Sequence, residues 1–392
     1  MSIIRYSYII KFVALAFFAL RVSVNSTSVK MPIIDISPLL FNVVDDLNPL
    51  EGELTRSGAD LQACIRSIDL ALTIFGCFVA TGTNIKVELA ASAQKASDLI
   101  FHQDEAILDS IAIKPGNFMR GYLPFGKESG LKTYFEPKEG YSYGYKWSKG
   151  EVKENALHGD NVWPNKNEIE SSVPMLDTLF ASKVDVAEKL ARALSTITSD
   201  GNSTAFDQFI EPGGKISVMR IFHYFSRNSM RETFNDKEKS GKIAMGSSPH
   251  TDWGFLTLIL QDDIGGLQFL YQDDWVDVPY IPNSIVVNAG DFLSVISGGR
   301  FHSPVHRVIA PIERDRTSFV FFYYPRFETP MDPSLFKRIS ASASSSQNCA
   351  EPTNCLGHNS LFVIDNLVDD SMNSTALFGD YIIEKWKGVN AY

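Results

Sequence analysis

Two histidines and an aspartate have the types and spacing of a metal-binding set. His250 and Asp252 stand two positions apart in the run HTD, and His306 lies in a later short segment of β character, HRVIAP. Residues i and i+2 of a strand face the same side, so an imidazole and a carboxylate could meet at one point. Two imidazoles and one carboxylate on one face of a metal leave its other positions open, as in non-haem Fe(II) oxygenases. The set predicts an iron site, with His302 as the competing third ligand.

A second pair of residues could bind an anion. Arg316 and Ser318 stand two positions apart where the apolar run SFVFFYYP begins, and Thr317 between them should face the other way. A guanidinium can bind both oxygens of a carboxylate, and a hydroxyl adds one more donor. An arginine directed into apolar surroundings needs an anionic partner. The pair therefore predicts a clamp for one end of a dicarboxylate; the alternative is a surface arginine beside a strand.

The elements that must position these residues are predicted to be short strands. Seven apolar segments between about residues 214 and 332 are separated by Gly, Pro, Asp and Asn: KISVMRIFHYF, GFLTLILQ, GLQFLY, WVDVPY, SIVVNAGDFL, HRVIAP and SFVFFYYP. Strands of this length and spacing indicate a barrel or jelly roll. Five residues between or within these segments are interpreted as turn residues: Gly265, Gly266, Asn288, Gly290 and Asp291.

The part of the chain before these strands is predicted to be mixed. MPIIDISPLL and IFGCFVATG are typical of strands, whereas residues 61–72, 87–109 and 176–194 have helical character. Residues 115–163 show no clear period and are predicted to form a long, partly ordered loop region near the site. A last helix is expected around 379–386. The predicted fold class is α+β and β-rich, with surrounding helices.

Composition excludes several classes of protein. The chain has 392 residues, 46 acidic against 36 basic, and a formal charge of −10, without a Lys/Arg cluster, which argues against a nucleic-acid partner. The four cysteines form no CxxC, so neither a zinc ribbon nor a thioredoxin-type site is indicated. Cys349 and Cys355 could close a small disulfide in a polar insert if the chain is secreted.

Residues 1–30 predict a targeting segment rather than part of the fold. Arg5 and Lys11 precede or border the apolar run FVALAFFAL, and small polar residues follow it. This pattern is typical of a signal peptide and is too short to span a bilayer, so no membrane span is expected in the mature chain. The predicted location is the secretory pathway or another compartment reached through such a signal. The alternatives are a buried N-terminal helix, or a true start at Met31 and a cytoplasmic protein. Three glycosylation triplets fit a secreted chain: Asn25, Asn202 and Asn373.

Together these motifs resemble the plant-type and isopenicillin-N-synthase-like Fe(II)/2-oxoglutarate dioxygenases. The resemblance covers most of residues 31–332 and is carried by HTDWGFLTLILQDDIGGLQ, DWVDVP, NSIVVNAGDFL, GRFHSPVHRV and RTSFVFFYYP, with MPIIDISPL, MRGYLPFGKESG and KEGYSYG upstream. It implies a distorted double-stranded β-helix, or jelly roll, with helices around it. The implied organisation is a signal peptide over 1–30, an N-terminal helical and mixed region over 31–213, the dioxygenase core over 214–332, and a C-terminal loop and helix over 333–392.

The resemblance also implies roles for single residues. His250, Asp252 and His306 would bind Fe(II), with no catalytic residue beyond these ligands. The distal carboxylate of 2-oxoglutarate would be held by Arg316 and Ser318. Tyr224 falls where the family places a tyrosine near the co-substrate. Beside it, this sequence has Phe222 and Phe225 where the family often has Asn and Pro.

The implied reaction is the decarboxylation of 2-oxoglutarate to succinate and CO2, coupled to oxidation of a small organic substrate, by default its hydroxylation. Fe(II), 2-oxoglutarate and O2 are the implied cofactor and co-substrates, and ascorbate is allowed for. Two alternatives stay open: an iron oxidase of the same fold that does not use 2-oxoglutarate, and a non-catalytic small-molecule-binding relative. The predicted loop region is expected to line the substrate pocket. Its aromatic residues favour a small organic molecule over a protein or nucleic acid as substrate, among them Tyr122, Phe125, Tyr141 and Tyr143.

Overall fold

The computed structural model describes residues 29–41, 56–114, 119–128, 133–146, 155, 157–164, 167–198, 206–210, 216–332 and 376–389. The chain divides into a unit of residues Met1–Lys30 and a compact unit of residues Met31–Tyr392. The predicted signal segment up to residue 28, the three glycosylation triplets, Cys349 and Cys355 lie outside the described residues. Within the part described, no helix is both long and apolar enough to cross a membrane.

Helices lie mainly before and after the strand-rich part of the chain. Their bounds are α1 Ser37–Phe41, α2 Arg56–Ile74, α3 Val87–Phe101, α4 Glu105–Ser110, α5 Asn167–Thr198, α6 Asp207–Ile210, α7 Arg231–Lys239, α8 Asp291–Ile296 and α9 Phe378–Val389. The helical predictions for 61–72, 87–109, 176–194 and 379–386 are confirmed, because α2, α3 with α4, α5 and α9 cover these segments.

The strands are short, as their spacing predicts. Their bounds are β1 Ile33–Asp35, β2 Cys77–Thr81, β3 Gly121–Leu123, β4 Tyr134–Phe135, β5 Lys138–Gly144, β6 Val218–Tyr224, β7 Ile243–Ala244, β8 Ser247–His250, β9 Leu256–Gln261, β10 Leu267–Tyr271, β11 Asp274–Asp277, β12 Ile285–Ala289, β13 His306–Val308 and β14 Arg316–Tyr323. Each of the seven predicted core segments overlaps one of these strands.

Two sheets form the core of the molecule. The larger has the order β1-β2-β12-β9-β14-β6-β5-β3 and the smaller the order β11-β10-β13-β8, while β4 and β7 form a separate pair. The larger sheet takes strands from both sides of residue 214, so the N-terminal region and the core strands share one sheet. This arrangement of a large sheet, a facing smaller sheet and helices is the predicted jelly-roll core of an α+β fold.

Apolar side chains fill both faces of the larger sheet. One cluster joins the two sheets and includes Val79, Phe222, Ile259 and Val320 from the larger and Leu267, Phe269, Val276 and Val308 from the smaller. The other cluster packs helices α2, α3 and α5 on the opposite face of the larger sheet. Alternation along a strand sends successive side chains to the two clusters. Every second residue of β6 and β14 therefore faces the space between the sheets.

The prediction of a long loop over residues 115–163 is wrong for its middle part. Strands β3, β4 and β5 lie there, and β5 is buried along its whole length between β3 and β6. The sequence of β5, KEGYSYG, hides this because two of its buried residues are charged. Lys138 contacts Glu136 at 2.8 Å and Glu139 accepts a hydrogen bond from Tyr122 at 2.6 Å. These polar partners replace the hydrophobic alternation that usually reveals a strand.

Candidate metal centre and cavity

The two histidines meet because their strands are neighbours. His250 ends β8 and His306 begins β13, and the two residues are directly opposite each other in the antiparallel pair. Side chains of opposed residues lie on the same face of a sheet. Their imidazole centroids are consequently 4.2 Å apart. His306 is buried, whereas 41% of the His250 side chain is exposed.

Asp252 completes the cluster from the loop after β8 rather than from the strand. The strand ends at His250, so the prediction that both residues share a strand face is wrong in its mechanism. Asp252 Oδ1 nevertheless lies 3.9 Å from His250 Nε2, and Asp252 Oδ2 lies 3.6 Å from His306 Nε2. All three potential ligand atoms lie within 4.8 Å of one another. Among the described residues this cluster contains His306 and not His302.

Backbone carbonyls behind the two imidazoles can fix their tautomers. His250 Nδ1 lies 2.7 Å from the carbonyl oxygen of Ser248, and His306 Nδ1 lies 3.2 Å from that of Pro304. A ring with its proton on Nδ1 donates to such a carbonyl and keeps a lone pair on Nε2. Both Nε2 atoms face Asp252. The arrangement therefore presents two imidazole lone pairs and a carboxylate to one point.

Asp252 is held by residues of β12 and α8. Asn288 Nδ2 donates to Asp252 Oδ2 at 2.9 Å, and the Asp291 backbone N–H donates to the Asp252 carbonyl at 2.7 Å. The interpretation of Asn288, Gly290 and Asp291 as turn residues is wrong: Asn288 lies inside β12, Gly290 precedes α8 and Asp291 begins it. A β-carbon on Gly290 would lie 2.2 Å from the Gly254 carbonyl oxygen, so close packing requires glycine there. Gly265 and Gly266 do lie between strands, with φ of +77° and +86°, as predicted.

The pKa shifts of His306 and Asp252 favour the protonation states in which these side chains bind a metal. Burial lowers the pKa of His306 to about 4, and the neighbouring charge on His250 acts in the same direction. Burial raises the pKa of Asp252, but the charges of His306 and His250 outweigh it and the pKa is lowered overall. At neutral pH His306 is thus a neutral imidazole and Asp252 a carboxylate, the forms that bind metal.

The cluster opens into a cavity of about 260 Å³ between the two sheets. Tyr224, Arg316 and Ser318 line it together with the three candidate ligands. Arg316 is 1% exposed and donates from Nε to the Gly265 carbonyl at 2.8 Å and from Nη2 to Gln261 Oε1 at 3.1 Å. The Tyr224 ring lies 4.8 Å from the Arg316 guanidinium carbon. The structure therefore brings all six residues singled out in the sequence to one cavity.

Two buried polar atoms of the predicted carboxylate clamp have no protein partner. They are Nη1 of Arg316 and the hydroxyl of Ser318. A buried donor without a partner is costly, and its usual explanation is a ligand or water that the protein is built to bind. Both atoms are suited to a carboxylate, and part of the Arg316 fork is already used by Gln261 and Gly265.

Residues of the segment 115–163 line part of the cavity, as predicted, but the aromatic residues singled out there lie elsewhere. Tyr122, Tyr141 and Tyr143 are buried in the helix-side core, with Tyr141 donating to the Val162 carbonyl and Tyr143 to that of Leu176. The segment instead contributes Glu128, Glu136 and Lys138 to the lining, and Phe125 contacts Phe135 and Phe225 edge to face. These three charged residues form one corner of the cavity, and no motif in the sequence singles them out.

Two family models match the chain. Residues 216–325 match the 2OG-Fe(II) oxygenase superfamily, and residues 31–166 match the model described as non-haem dioxygenase in morphine synthesis N-terminal. A Dictyostelium discoideum protein named "Probable iron/ascorbate oxidoreductase" is 30% identical over 319 residues, which cover 78% of this chain and 84% of that protein. A Glycine max homoarginine-6-hydroxylase is 28% identical over 77% of this chain and 88% of its own length.

Solved structures share the fold. A full-length Neurospora crassa protein in complex with alpha-KG, which is 2-oxoglutarate, superposes with a TM-score of 0.66 at 20% identity and covers 92% of this chain and 97% of its own. A structure of JOX2 in complex with 2OG, Fe and JA gives a TM-score of 0.57 at 24% identity, and the match covers 77% of each chain. At sequence identities this low, the superpositions show a shared fold and nothing about the substrate.

Proposed function

Because the chain belongs to the 2OG-Fe(II) oxygenase superfamily and is an Fe(II)- and 2-oxoglutarate-dependent oxidoreductase, we propose that it hydroxylates a small organic substrate at iron held by His250, Asp252 and His306. The observation that carries this proposal is the shared cavity. One space between the sheets is lined by the three potential ligands and by the unpartnered atoms of Arg316 and Ser318.

The donor set suits Fe(II). Two imidazole nitrogens and one carboxylate oxygen form the two-histidine, one-carboxylate facial set used by non-haem Fe(II) oxygenases. His250 and Asp252 come from one segment and His306 from the neighbouring strand, so each ligand approaches from the same side of the cavity. All three ligand residues line the cavity, so a metal held by them would be reached from it. Bound iron supplies the activation of O2 for which no amino-acid side chain suffices.

The residues of this chain would orient 2-oxoglutarate and exclude water. Arg316 Nη1 and the Ser318 hydroxyl would donate to the distal carboxylate, and the Tyr224 ring restricts the guanidinium from one side. Fixed donors of this kind cost little reorganisation when the ligand binds. Ile259, Leu267 and Val308 surround this end of the cavity with apolar surface, which strengthens a charge-assisted hydrogen bond.

Replacement of Arg316 tests the use of 2-oxoglutarate. Arg316→Ala should raise the apparent KM for 2-oxoglutarate by about 100-fold, because the distal carboxylate loses a charge-assisted partner. Arg316→Lys should recover only part of the loss, since an ammonium cannot reproduce the planar fork. Succinate formation is titrated against 2-oxoglutarate, and iron content is measured on the same samples. Iron binding should be unchanged, because Arg316 is not a ligand.

Arg307→Ala is the matched control. Arg307 follows His306 directly, but its side chain lies over Trp275 at 3.9 Å and donates to Gln268 at 2.8 Å, away from the cavity. This variant should keep the wild-type titration curve. If the wild type neither binds 2-oxoglutarate nor releases succinate with any substrate, the alternative of an iron oxidase that does not use 2-oxoglutarate is correct.

A further inference from the structure

A second buried arginine lines the same cavity. Arg220 lies on β6, is 2% exposed and contributes to the cavity wall. It donates from Nη1 to Glu128 Oε2 at 2.5 Å. Its Nε and Nη2 are buried and have no hydrogen-bond partner. These two nitrogens form one edge of the guanidinium, the edge that binds the two oxygens of a carboxylate side by side.

Trp386 fixes the orientation of this edge. The Arg220 guanidinium carbon lies 4.0 Å from the centroid of a Trp386 ring, which covers one face of the cation. Trp386 in turn contacts Trp253 edge to face, with centroids 5.1 Å apart, and Trp253 directly follows Asp252. The free edge of Arg220 is therefore held by packing, and the packing links it to the segment that carries a candidate metal ligand.

The acidic groups beside Arg220 are already engaged. Glu128 lies between Arg220 and Lys138, whose Nζ is 3.5 Å from Glu128 Oε1. Glu136 pairs with the same lysine at 2.8 Å and accepts the backbone N–H of Ser248 at 3.0 Å. Burial raises the pKa of Glu128, but Arg220 and Lys138 outweigh it and lower the pKa. Glu128 is thus a carboxylate that serves two cations, and neither glutamate faces the free edge of Arg220.

Positive charge nearby adds to the attraction for an anion. Arg120 is buried, and its pKa is lowered to about 10, first by burial and also by the charge of Arg220. Mutual repulsion of two buried guanidinium groups is relieved by a bound anion. The geometry of the free edge of Arg220 and the positive charge around it both favour an anionic ligand such as a carboxylate.

Arg220 and Arg316 occupy separate ends of one strand pair. In the register of β6 and β14, Arg316 is opposite Tyr224 and Arg220 is opposite Val320. Arg220, Phe222 and Tyr224 face the cavity from β6. Four residue steps along β6 separate Arg220 from Tyr224, the residue opposite Arg316, which is about 13 Å at ~3.3 Å per residue. A single bound 2-oxoglutarate held by Arg316 leaves Arg220 for another molecule.

We propose that Arg220 binds the carboxylate of the oxidised substrate, so that this enzyme acts on a small organic acid with an apolar body. The apolar body would lie against the Phe322, Tyr324 and Trp253 side chains that line the same part of the cavity. A bidentate contact places the acid group at a fixed point and so selects which C–H bond lies near the metal. The inference rests on the proposed function of the site, since it assigns the second organic molecule of that reaction.

The test compares acids with their amides. Aliphatic and aromatic monocarboxylic acids are titrated anaerobically into the Fe(II)-loaded protein with 2-oxoglutarate, and each acid is paired with its primary amide, which has the same shape without the charge. At least one acid should bind the wild type about tenfold or more tightly than its amide, a typical effect of a buried charge-assisted contact. Arg220→Gln should remove this preference, and Arg220→Lys should restore part of it.

Two controls separate structural from binding effects. Arg220→Gln leaves Glu128 with one cation fewer, so the double variant Arg220→Gln/Glu128→Gln is measured beside it, and loss of the acid preference should persist there. The dissociation constant of 2-oxoglutarate is determined for each protein by calorimetry. If 2-oxoglutarate fails to bind the wild type, the proposed function is wrong. If it binds but no acid binds better than its amide, or the preference survives in Arg220→Gln, the assignment of Arg220 is overturned.

Discussion

Each candidate metal ligand is held by a group behind it. The Ser248 and Pro304 carbonyls lie next to the Nδ1 atoms of His250 and His306, and Asn288 donates to Asp252. Such partners orient ligands and fix their protonation before metal arrives. The geometry of the centre therefore depends on the backbone of β8 and β13 and on one buried amide of β12, as well as on the three ligands.

Removal of any one candidate ligand should abolish turnover. His250→Ala, Asp252→Ala and His306→Ala should each lower iron affinity more than about 100-fold, because a three-ligand site has no substitute donor. Iron per chain is measured after dialysis, and circular dichroism reports whether each variant is folded. His302→Ala is the control and should keep its iron. Loss of iron in His302→Ala with retention in His306→Ala would show that the third ligand is misassigned.

Asn288 should affect the affinity for iron through Asp252, although Asn288 is not itself a ligand. Asn288→Leu removes the donor 2.9 Å from Asp252 Oδ2, and should weaken iron binding by about 10- to 100-fold, the usual effect of losing a supporting hydrogen bond. Ser284→Ala is a control on the residue just before β12, whose hydroxyl donates to the nearby Ile281 carbonyl. Competition with a chelator gives both affinities. Equal affinities in Asn288→Leu and the wild type would exclude this role.

The sequence predicts the residues that need a particular type and spacing, and misses those defined by distant contacts. His250, Asp252, Arg316 and Ser318 stand in short runs whose chemistry can be read locally. The Asn288 contact spans 36 positions, and that of Arg220 with Glu128 spans 92. No local pattern shows such partners. The sequence correctly predicts that His250 and Asp252 meet at one point. The predicted reason, a shared strand face, is wrong, because Asp252 lies in the loop after β8.

At the scale of elements, buried charge explains the largest error in the predicted fold. β5 is central enough to be buried at every position, yet Lys138 and Glu139 interrupt its apolar character. On one face Lys138 reaches Glu136, and on the other Glu139 lies 2.7 Å from His223 Nδ1. By contrast, the apolar runs of β9, β12 and β14 predict these strands correctly. Of the two charges that conceal β5, Lys138 belongs to the cavity wall, so function and an atypical pattern coincide at that residue.

Helix α5 is joined to the larger sheet by a buried lysine. Lys183 is fully buried and donates to the carbonyl oxygens of Leu258 on β9, at 3.0 Å, and Phe319 on β14, at 2.5 Å. Burial lowers the pKa of Lys183 well below its ordinary value. Between that lowered pKa and the unfolded value of about 10.4, the unfolded chain binds a proton that the folded chain does not. The free energy of unfolding therefore rises with pH across this window.

Lys183→Met should remove this rise. The free energy of unfolding of the wild type should increase relative to the variant by up to about 1.4 kcal/mol per pH unit within the window, and the difference should level off above about pH 10.4. Denaturant titrations at neutral pH and at about pH 9.5 measure it. Lys189→Met, on the same helix at a partly exposed position paired with Asp185, is the control and should follow the wild type. Parallel pH profiles for Lys183→Met and the wild type would contradict the assignment.

At the scale of the whole molecule, the site depends on segments far apart in the chain. The cavity takes Glu128 from the N-terminal region, Arg220 and Arg316 from the strands of the larger sheet, His306 from the smaller sheet and Trp386 from α9. All of these belong to the unit of residues Met31–Tyr392. Truncation of α9 should therefore alter the cavity, whereas a chain that begins at Met31 keeps every lining residue that the structure describes.

We propose that residues 1 to about 28 are removed as a signal peptide, because the charged start, the run FVALAFFAL and the small polar residues after it fit a signal sequence. N-terminal sequencing of protein from the native cell should give a start near residue 29. The glycosylation triplets at Asn202 and Asn373 give an independent readout, since a glycosidase should shift the mass only of a chain that entered the secretory pathway. A recombinant chain that begins at residue 29 should bind iron and 2-oxoglutarate as the mature protein does. An intact Met1, or a native product that begins at Met31 and carries no glycan, would refute the signal and favour a cytoplasmic enzyme.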